Sequence, residues 1–148
     1  MKPLSKIGKG EEKLSYIGYA LRVAKEFYPK DKYDHAIRVA NYVAENDLIP
    51  DEKMDDCIAL AIMHDLLEDT KYQINSGLEP YFNNCLKLIT KPKEQNYIDY
   101  IKTIREHADS HKLTYWVKLA DIKDHLAQTE TLTDKLKEKY LAALPFLL

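Results

Sequence analysis

The chain has 148 residues, a length that fits one domain with a sizeable core and leaves no room for a second large domain. Its formal net charge is −2, and lysine and arginine are scattered without a basic stripe, which argues against nucleic acid as a partner. No apolar run approaches the roughly 20 residues that a membrane span requires. Cys57 and Cys85 have no CxxC spacing and no signal segment is apparent, so we expect reduced thiols in a soluble, cytoplasmic protein.

The spacing of apolar residues predicts an all-α fold built as one helical bundle. Glycine is scarce, with 4 in the chain, and no alternating strand pattern occurs. We expect residues 1–10 to be a flexible leader and residues 11–148 to be the folded domain. The first helix is predicted over residues 11–28 and stops at Pro29. Its apolar stripe consists of Leu14, Ile17, Leu21, Ala24 and Tyr28.

The second predicted helix begins with Asp31 as its N-cap, extends to about residue 46, and has one apolar stripe through Val39. His35 lies one turn before Val39 and therefore opens the inward face. Arg38 shares that side of the helix, where a guanidinium group can bind a phosphate through two hydrogen bonds. A lone inward histidine is more often a core residue, and a helical arginine is more often solvated. The interpretation therefore depends on the polar residues of other helices.

In the third predicted helix, residues 51–70, the run that begins at Ile58 is apolar on nearly every side for two turns, and the ionisable residues His64, Asp65, Glu68 and Asp69 then follow. A charged group in a helical core is costly unless it is paired or binds a metal. On a continuous helix, residues four apart share a face, so His64 stands in a column with Glu68, and Asp65 with Asp69. The segment therefore places two candidate metal ligands one turn from two candidate proton carriers.

Two further helices, predicted over residues 78–90 and 94–109, supply core residues. The second of them has an apolar stripe through Tyr97, Tyr100 and Ile101. His107 and His111 are four apart, a spacing that can bind zinc on one helix. The polar residues between them, and the lack of an intervening glutamate, favour a hydrated connector instead.

The helix predicted over residues 113–129 contains Asp121 amid apolar neighbours, and a metal ion would explain such an acid. Lys118, Asp124 and His125 lie three or four positions from it on the same side. We expect Lys118 and His125, like Arg38, to face a substrate. A last amphipathic helix over residues 133–144 closes the domain with the stripe Leu136, Tyr140 and Leu144.

Imidazole and carboxylate groups together suit a borderline divalent ion such as Mn, Fe or Zn. His64 and Asp65 alone do not make a site, but His35 and Asp121 offer further ligands on an earlier and a later helix. Four such ligands leave coordination positions open for water and a phosphate oxygen, which a catalytic rather than a structural site requires. The sequence therefore predicts one catalytic divalent ion.

The ordered set of His35, His64-Asp65 and Asp121 resembles the HD superfamily of metal-dependent phosphohydrolases. Within it, the run His64-Asp-Leu-Leu-Glu68-Asp69-Thr70 is similar to the HDxxEDT signature of the RelA/SpoT-type hydrolase domain, which cleaves the 3′-pyrophosphate of the alarmone (p)ppGpp. The resemblance implies a single-domain, HD-type helical bundle, Mn²⁺ as the ion with Fe, Zn or Mg as alternatives, and activation of water by the pair Glu68 and Asp69.

The resemblance extends to the segment from Lys118 to Asp121, which looks like the KLAD segment of the alarmone hydrolases. Two departures concern nucleotide contacts. Residues 27–33 replace an Arg-Lys-Ser-Gly stretch, and His125 replaces an asparagine. The sequence therefore specifies the reaction class more firmly than the substrate.

We expect a phosphohydrolase that acts on a small nucleotide, with guanosine 3′,5′-bis(diphosphate) 3′-pyrophosphohydrolase as the leading activity. One alternative is an HD-type nucleotidase that releases phosphate from nucleoside monophosphates, and another is a module that binds a nucleotide without turnover. The expected partner is the nucleotide substrate, without nucleic acid or membrane. Assembly as a homo-oligomer is compatible with the sequence.

Overall fold

The structure, a computed structural model, describes residues 15–148, which are helical and contain no strand. The expected all-α fold is confirmed, while the expected leader, residues 1–10, lies outside the described residues. No helix in the described part of the chain has both the length and the apolar character needed to cross a membrane. The helices are α1 (Ile17–Phe27), α2 (Lys30–Ala44), α3 (Asp51–Met63), α4 (Leu66–Asp69), α5 (Pro80–Ile89), α6 (Tyr97–Glu106), α7 (Lys112–Ala127) and α8 (Asp134–Leu147).

Helix α3 lies at the centre of the larger core. It packs against α1, α2, α5 and α7, and Leu60 and Met63 are fully buried. This position follows from the second half of its sequence, since the run from Cys57 to Met63 is apolar all round and must be covered on all sides. The four polar residues predicted to be important therefore begin where this buried run ends.

Helix α7 is shared by two hydrophobic cores. Its residues Trp116 and Val117 belong to the larger core with α1, α2, α3 and α5. Its residue Ile122 packs in a smaller core with Ile101 of α6 and Tyr140 of α8. Because both sides of α7 are covered, polar residues on this helix are buried as well.

The predicted apolar stripe of α1 is confirmed at Ala24 and Tyr28, which are buried, and is wrong at Leu21. Leu21 is 37% exposed, whereas Tyr19 and Val23 face the core. The prediction undervalued tyrosine, whose ring can be buried when its hydroxyl finds a partner. Here the Tyr19 hydroxyl bonds to that of Tyr72 at 2.8 Å. At the other end of the chain, Leu136 was predicted to be inward on α8 and is exposed.

The expected N-cap of α2 is also wrong. Pro29 occupies the N-cap position, no side chain caps the helix there, and Asp31 lies in the first turn. A carboxylate in the first turn still favours the helix through its dipole. Thr133 does cap α8, because its hydroxyl accepts a hydrogen bond from the backbone N–H of Leu136 at 3.1 Å.

The predicted continuous helix over residues 51–70 is interrupted at His64 and Asp65. Helix α3 ends at Met63, and α4 begins at Leu66. The interruption has a side-chain cause. The Tyr28 hydroxyl donates to the carbonyl oxygen of Ile62 at 3.0 Å and accepts from the backbone N–H of Asp65 at 3.1 Å. Tyr28 thus supplies hydrogen bonds at the point where the helical pattern is broken.

Candidate metal centre

The four predicted metal ligands converge where α2, α7 and the α3–α4 junction meet. His35, His64 and Asp121 are buried, and Asp65 is partly buried. Nε2 of His35 lies 2.9 Å from Oδ1 of Asp121, and Nε2 of His64 lies 3.1 Å from the same oxygen. Oδ2 of Asp65 is 3.3 Å from Nε2 of His64 and 3.7 Å from Nε2 of His35.

This donor set fits a divalent ion. Ligand atoms of His35, His64 and Asp65 all lie within 4.8 Å of one another, and so do those of His35, Asp121 and His125. Mixed imidazole and carboxylate donors match the preference of borderline ions such as Mn, Fe and Zn. We therefore call this cluster the candidate metal centre.

Each of the two histidines is held by its second ring nitrogen. The Nδ1–H group of His64 donates to the carbonyl oxygen of Ala61 at 2.6 Å, and that of His35 donates to Oδ2 of Asp124 at 2.6 Å. Such bonds fix the ring orientation and leave Nε2 as the atom that can bind a metal. Both imidazoles are therefore prepared for ligation by the protein alone.

Asp124 is a residue of the site whose role was not anticipated. It is fully buried, and besides His35 it binds Arg38, whose Nε donates to Oδ1 at 2.9 Å and to Oδ2 at 3.2 Å. Its position three residues after Asp121 put it on the correct face of α7. Sequence spacing could not tell whether it faced His35 or a substrate.

Lys118 neutralises the buried carboxylate of Asp121. Its Nζ donates to Oδ2 of Asp121 at 2.8 Å and lies 5.0 Å from the ring centroid of Tyr100 and 5.3 Å from that of Tyr97. Burial by itself would raise the pKa of Asp121. The positive charge of Lys118 and the hydrogen bonds from histidines outweigh it and hold that pKa well below its usual value.

The charges of the cluster also shift the titration of the HD pair. Burial opposes the charged form of His64, yet the negative charge of Asp65 and the hydrogen bond to Asp121 raise the pKa of His64 well above its usual value. Burial likewise opposes ionisation of Asp65, but the charge of His64 lowers the pKa of Asp65 to about 2.

Glu68 and Asp69 line the same cavity as His64, Asp65 and Asp121. Oε1 of Glu68 accepts a hydrogen bond from the backbone N–H of Lys91 at 3.0 Å, and Oδ2 of Asp69 lies 3.1 Å from Nζ of Lys32. The helix is interrupted at residues 64 and 65, but the backbone N–H of Asp69 still donates to the carbonyl oxygen of Asp65 at 2.9 Å. The short helix α4 nevertheless brings both carboxylates to the cavity.

The three residues predicted to face a substrate are placed differently. Lys118 lines the cavity, and His125 lines both it and a neighbouring depression. Arg38 lies in that depression, beside His35 and Asp124. Arg38 therefore lies next to His35 in the neighbouring depression and does not line the cavity that contains Glu68 and Asp69.

His107 and His111 lie at the junction of α6 and α7, away from the candidate metal centre. Nδ1 of His107 donates to the carbonyl oxygen of Thr103 at 2.9 Å, and Nδ1 of His111 is 2.8 Å from the hydroxyl of Ser110. Neither belongs to a group of metal-capable side chains within residues 15–148. The hydrogen bonds of both histidines are local, as expected for a polar connector between two helices.

The helical fold and the convergent His and Asp side chains define a protein with a candidate divalent-metal site. The family model of the HD domain matches residues 33–139, and the chain therefore belongs to the HD domain family. The match includes His35, His64, Asp65 and Asp121. HD domains are generally metal-dependent phosphohydrolases. A comparison with curated proteins found no match.

Proposed function

We propose that the protein is a metal-dependent phosphohydrolase acting on a small nucleotide, and that its leading substrate is guanosine 3′,5′-bis(diphosphate), cleaved at the 3′-pyrophosphate. One observation carries the proposal: a single cavity is lined by His64, Asp65 and Asp121, by the carboxylates Glu68 and Asp69, and by several lysines. Metal ligands, proton carriers and cations for phosphate are thus adjacent.

The lysines favour a substrate with more than one phosphate group. Lys32, Lys91, Lys118 and Lys139 line the cavity and reach it from α2, the α5–α6 connection, α7 and α8. Nζ of Lys139 lies 4.4 Å from the ring centroid of Tyr97 and 5.3 Å from that of Tyr140. Lys118 is paired with Asp121 and Lys32 with Asp69, so the charges of Lys91 and Lys139 are the ones that can neutralise separate phosphates of one polyanionic ligand.

Glu68 and Asp69 are the candidates for proton transfer. When bound, a divalent ion supplies Lewis acidity and positive charge beside the phosphoryl group. A carboxylate at the cavity wall can accept the proton of the attacking water, and a second one can return a proton to the leaving group. The hydrogen bond from the backbone of Lys91 holds Glu68 in place, which suits a base that must orient water.

The choice of an alarmone rests on the resemblance of residues 64–70 to the HDxxEDT signature. Residues 27–33 and His125 differ from the segments with which the alarmone hydrolases contact the nucleotide, so the resemblance supports the reaction at the 3′-pyrophosphate and not the recognition of the base. The same resemblance favours Mn²⁺ as the ion.

The decisive experiment incubates purified protein and Mn²⁺ with guanosine 3′,5′-bis(diphosphate) and with a panel of nucleoside monophosphates. We expect pyrophosphate release from the first substrate. Glu68→Gln should keep the metal and lose activity about 100-fold or more, since a positioned base contributes at least that much. Asp65→Ala should lose the metal, and Glu94→Gln, a change of an exposed glutamate, should behave like wild type.

Three results would contradict the proposal. Orthophosphate release from monophosphates alone would favour the nucleotidase. Binding of nucleotide and metal without hydrolysis would favour a binding module. Full activity in both Glu68→Gln and Asp65→Ala would show that the reaction centre lies elsewhere.

A further inference from the structure

Three imidazoles, not two, are directed at one carboxylate oxygen in the candidate metal centre. Oδ1 of Asp121 lies 2.9 Å from Nε2 of His35, 3.1 Å from Nε2 of His64 and 3.2 Å from Nε2 of His125. Nζ of Lys118 binds the other oxygen. A carboxylate oxygen offers about two lone-pair sites, so these three nitrogens exceed what hydrogen bonding to that oxygen can satisfy. A cation among them would satisfy all three.

The orientation of His125 is fixed by aromatic packing. Its ring stacks on Tyr140 with centroids 4.6 Å apart and an interplanar angle of 8°. Its other neighbour is the ring of His35, also at 4.6 Å. The stacking directs Nε2 of His125 toward Asp121 rather than into solvent. The donor atoms of His35, Asp121 and His125 lie within 4.8 Å of one another, the same limit that groups His35, His64 and Asp65.

We propose that His125 is a fifth protein ligand of the ion held by His35, His64, Asp65 and Asp121. Imidazole suits Zn²⁺ and Co²⁺ better than it suits Mn²⁺, for which oxygen donors are preferred. A third imidazole therefore raises the affinity for Co²⁺ and Zn²⁺ more than the affinity for Mn²⁺. His125 then selects the metal instead of contacting the substrate. The inference rests on the metal centre of the proposed function and not on its substrate.

The test measures metal binding without any substrate. Protein stripped with a chelator is titrated with Co²⁺ by visible absorption, with Zn²⁺ by competition, and with Mn²⁺ by electron paramagnetic resonance. We compare wild type, His125→Asn and the control His107→Asn, which changes an exposed histidine outside the site. Loss of even an outer-shell partner of a metal ligand costs about 10–100-fold in affinity, so loss of a direct ligand should cost at least as much. His125→Asn should therefore weaken Co²⁺ and Zn²⁺ binding by about tenfold or more.

We expect His125→Asn to change Mn²⁺ binding less than Co²⁺ binding and to alter the visible spectrum of the bound Co²⁺. His107→Asn should match wild type in all three titrations. Equal affinities and an unchanged Co²⁺ spectrum in His125→Asn would overturn the proposal. So would a wild-type protein that binds two ions, one of which is lost in His125→Asn, because His125 would then belong to a separate site.

A second measurement on the wild-type protein keeps the proposal testable if His125→Asn does not fold. The measurement is proton NMR of the paramagnetic Co²⁺ protein, in which each histidine bound through Nε2 contributes one strongly shifted, exchangeable Nδ1–H signal. We expect three such signals, from His35, His64 and His125. Two signals would overturn the inference. Neither measurement involves hydrolysis, so failure of the proposed activity would be recognised separately.

Discussion

The hydroxyl of Tyr28 accepts a hydrogen bond from the backbone N–H of Asp65 at 3.1 Å and donates one to the carbonyl oxygen of Ile62 at 3.0 Å. The side chain of Tyr28, which follows the last residue of α1, thus forms hydrogen bonds with the backbone on both sides of the interruption between α3 and α4. Burial, and then the negative charge of Asp65, raise the pKa of Tyr28, so the hydroxyl stays protonated and keeps its donor. The position of the HD pair depends on this contact.

Replacing Tyr28 by phenylalanine should destabilise the protein and weaken the metal centre. The change leaves a buried carbonyl and a buried N–H without their partner, which costs about 1–3 kcal/mol of unfolding free energy. Denaturant unfolding measures this cost, and a Co²⁺ titration measures the effect on Asp65. Tyr33→Phe, in a partly buried residue of α2, is the control. Equal stability of the two variants would mean that Tyr28 does not maintain the interruption.

Asp124→Asn should lower metal affinity although Asp124 is not itself a proposed ligand. The buried carboxylate holds Nδ1 of His35, and loss of such a partner typically costs about 10–100-fold in metal affinity. Arg38→Ala removes another partner of Asp124 but leaves the bond to His35, so its effect on metal binding should be smaller. Calorimetric titration of both variants separates these roles. A larger loss in Arg38→Ala would contradict the assignment of Asp124 as a positioning residue.

The fully buried Leu60 of α3 should contribute strongly to stability. Leu60→Ala removes side-chain atoms from the centre of the larger core and should cost about 2–5 kcal/mol of unfolding free energy. Leu48 is 81% exposed, and Leu48→Ala should change the unfolding free energy by only about 0.5 kcal/mol or less. Urea unfolding measures both. A similar cost for both substitutions would show that α3 is not central.

Both cysteine thiols should be unreactive in the folded protein. Cys57 and Cys85 are fully buried free thiols, and burial raises the pKa of each. Because the thiolate is the reactive form, raising the pH to about 8.5, the ordinary thiol pKa, should not bring rapid labelling. A thiol reagent should label both residues once denaturant is added. Rapid labelling of native protein would contradict the packing of α3 against α5.

The residues of the candidate metal centre could be predicted because each one broke the pattern around it. Asp121 stood among apolar neighbours of α7, and His64 followed the most apolar segment of the chain. Periodicity then placed His35 inward on α2, where the structure has it buried. Periodicity alone could not show that these distant segments meet. That inference came from the order of the residues along the chain, which resembles the ligand order of the HD superfamily.

The features that escaped prediction depend on contacts between distant segments. The interruption at residues 64–65 is made by Tyr28 of another segment, and no local residue signals it. The burial of Tyr19 on α1 depends on a hydroxyl partner, Tyr72, that only the fold provides. The role of Asp124 could not be predicted, because the sequence does not show that Nδ1 of His35 is turned toward α7.

His35 and Asp121 lie 86 positions apart in the chain, and their side chains meet at 2.9 Å. An ion bound by both would act as a cross-link that closes a long loop in the chain. Because the unfolded chain does not hold these ligands together, the ion would bind the folded protein alone and stabilise it by mass action. The centre would thus tie the N-terminal helices to α7, so that loss of the ion would loosen the architecture itself as well as remove the chemistry.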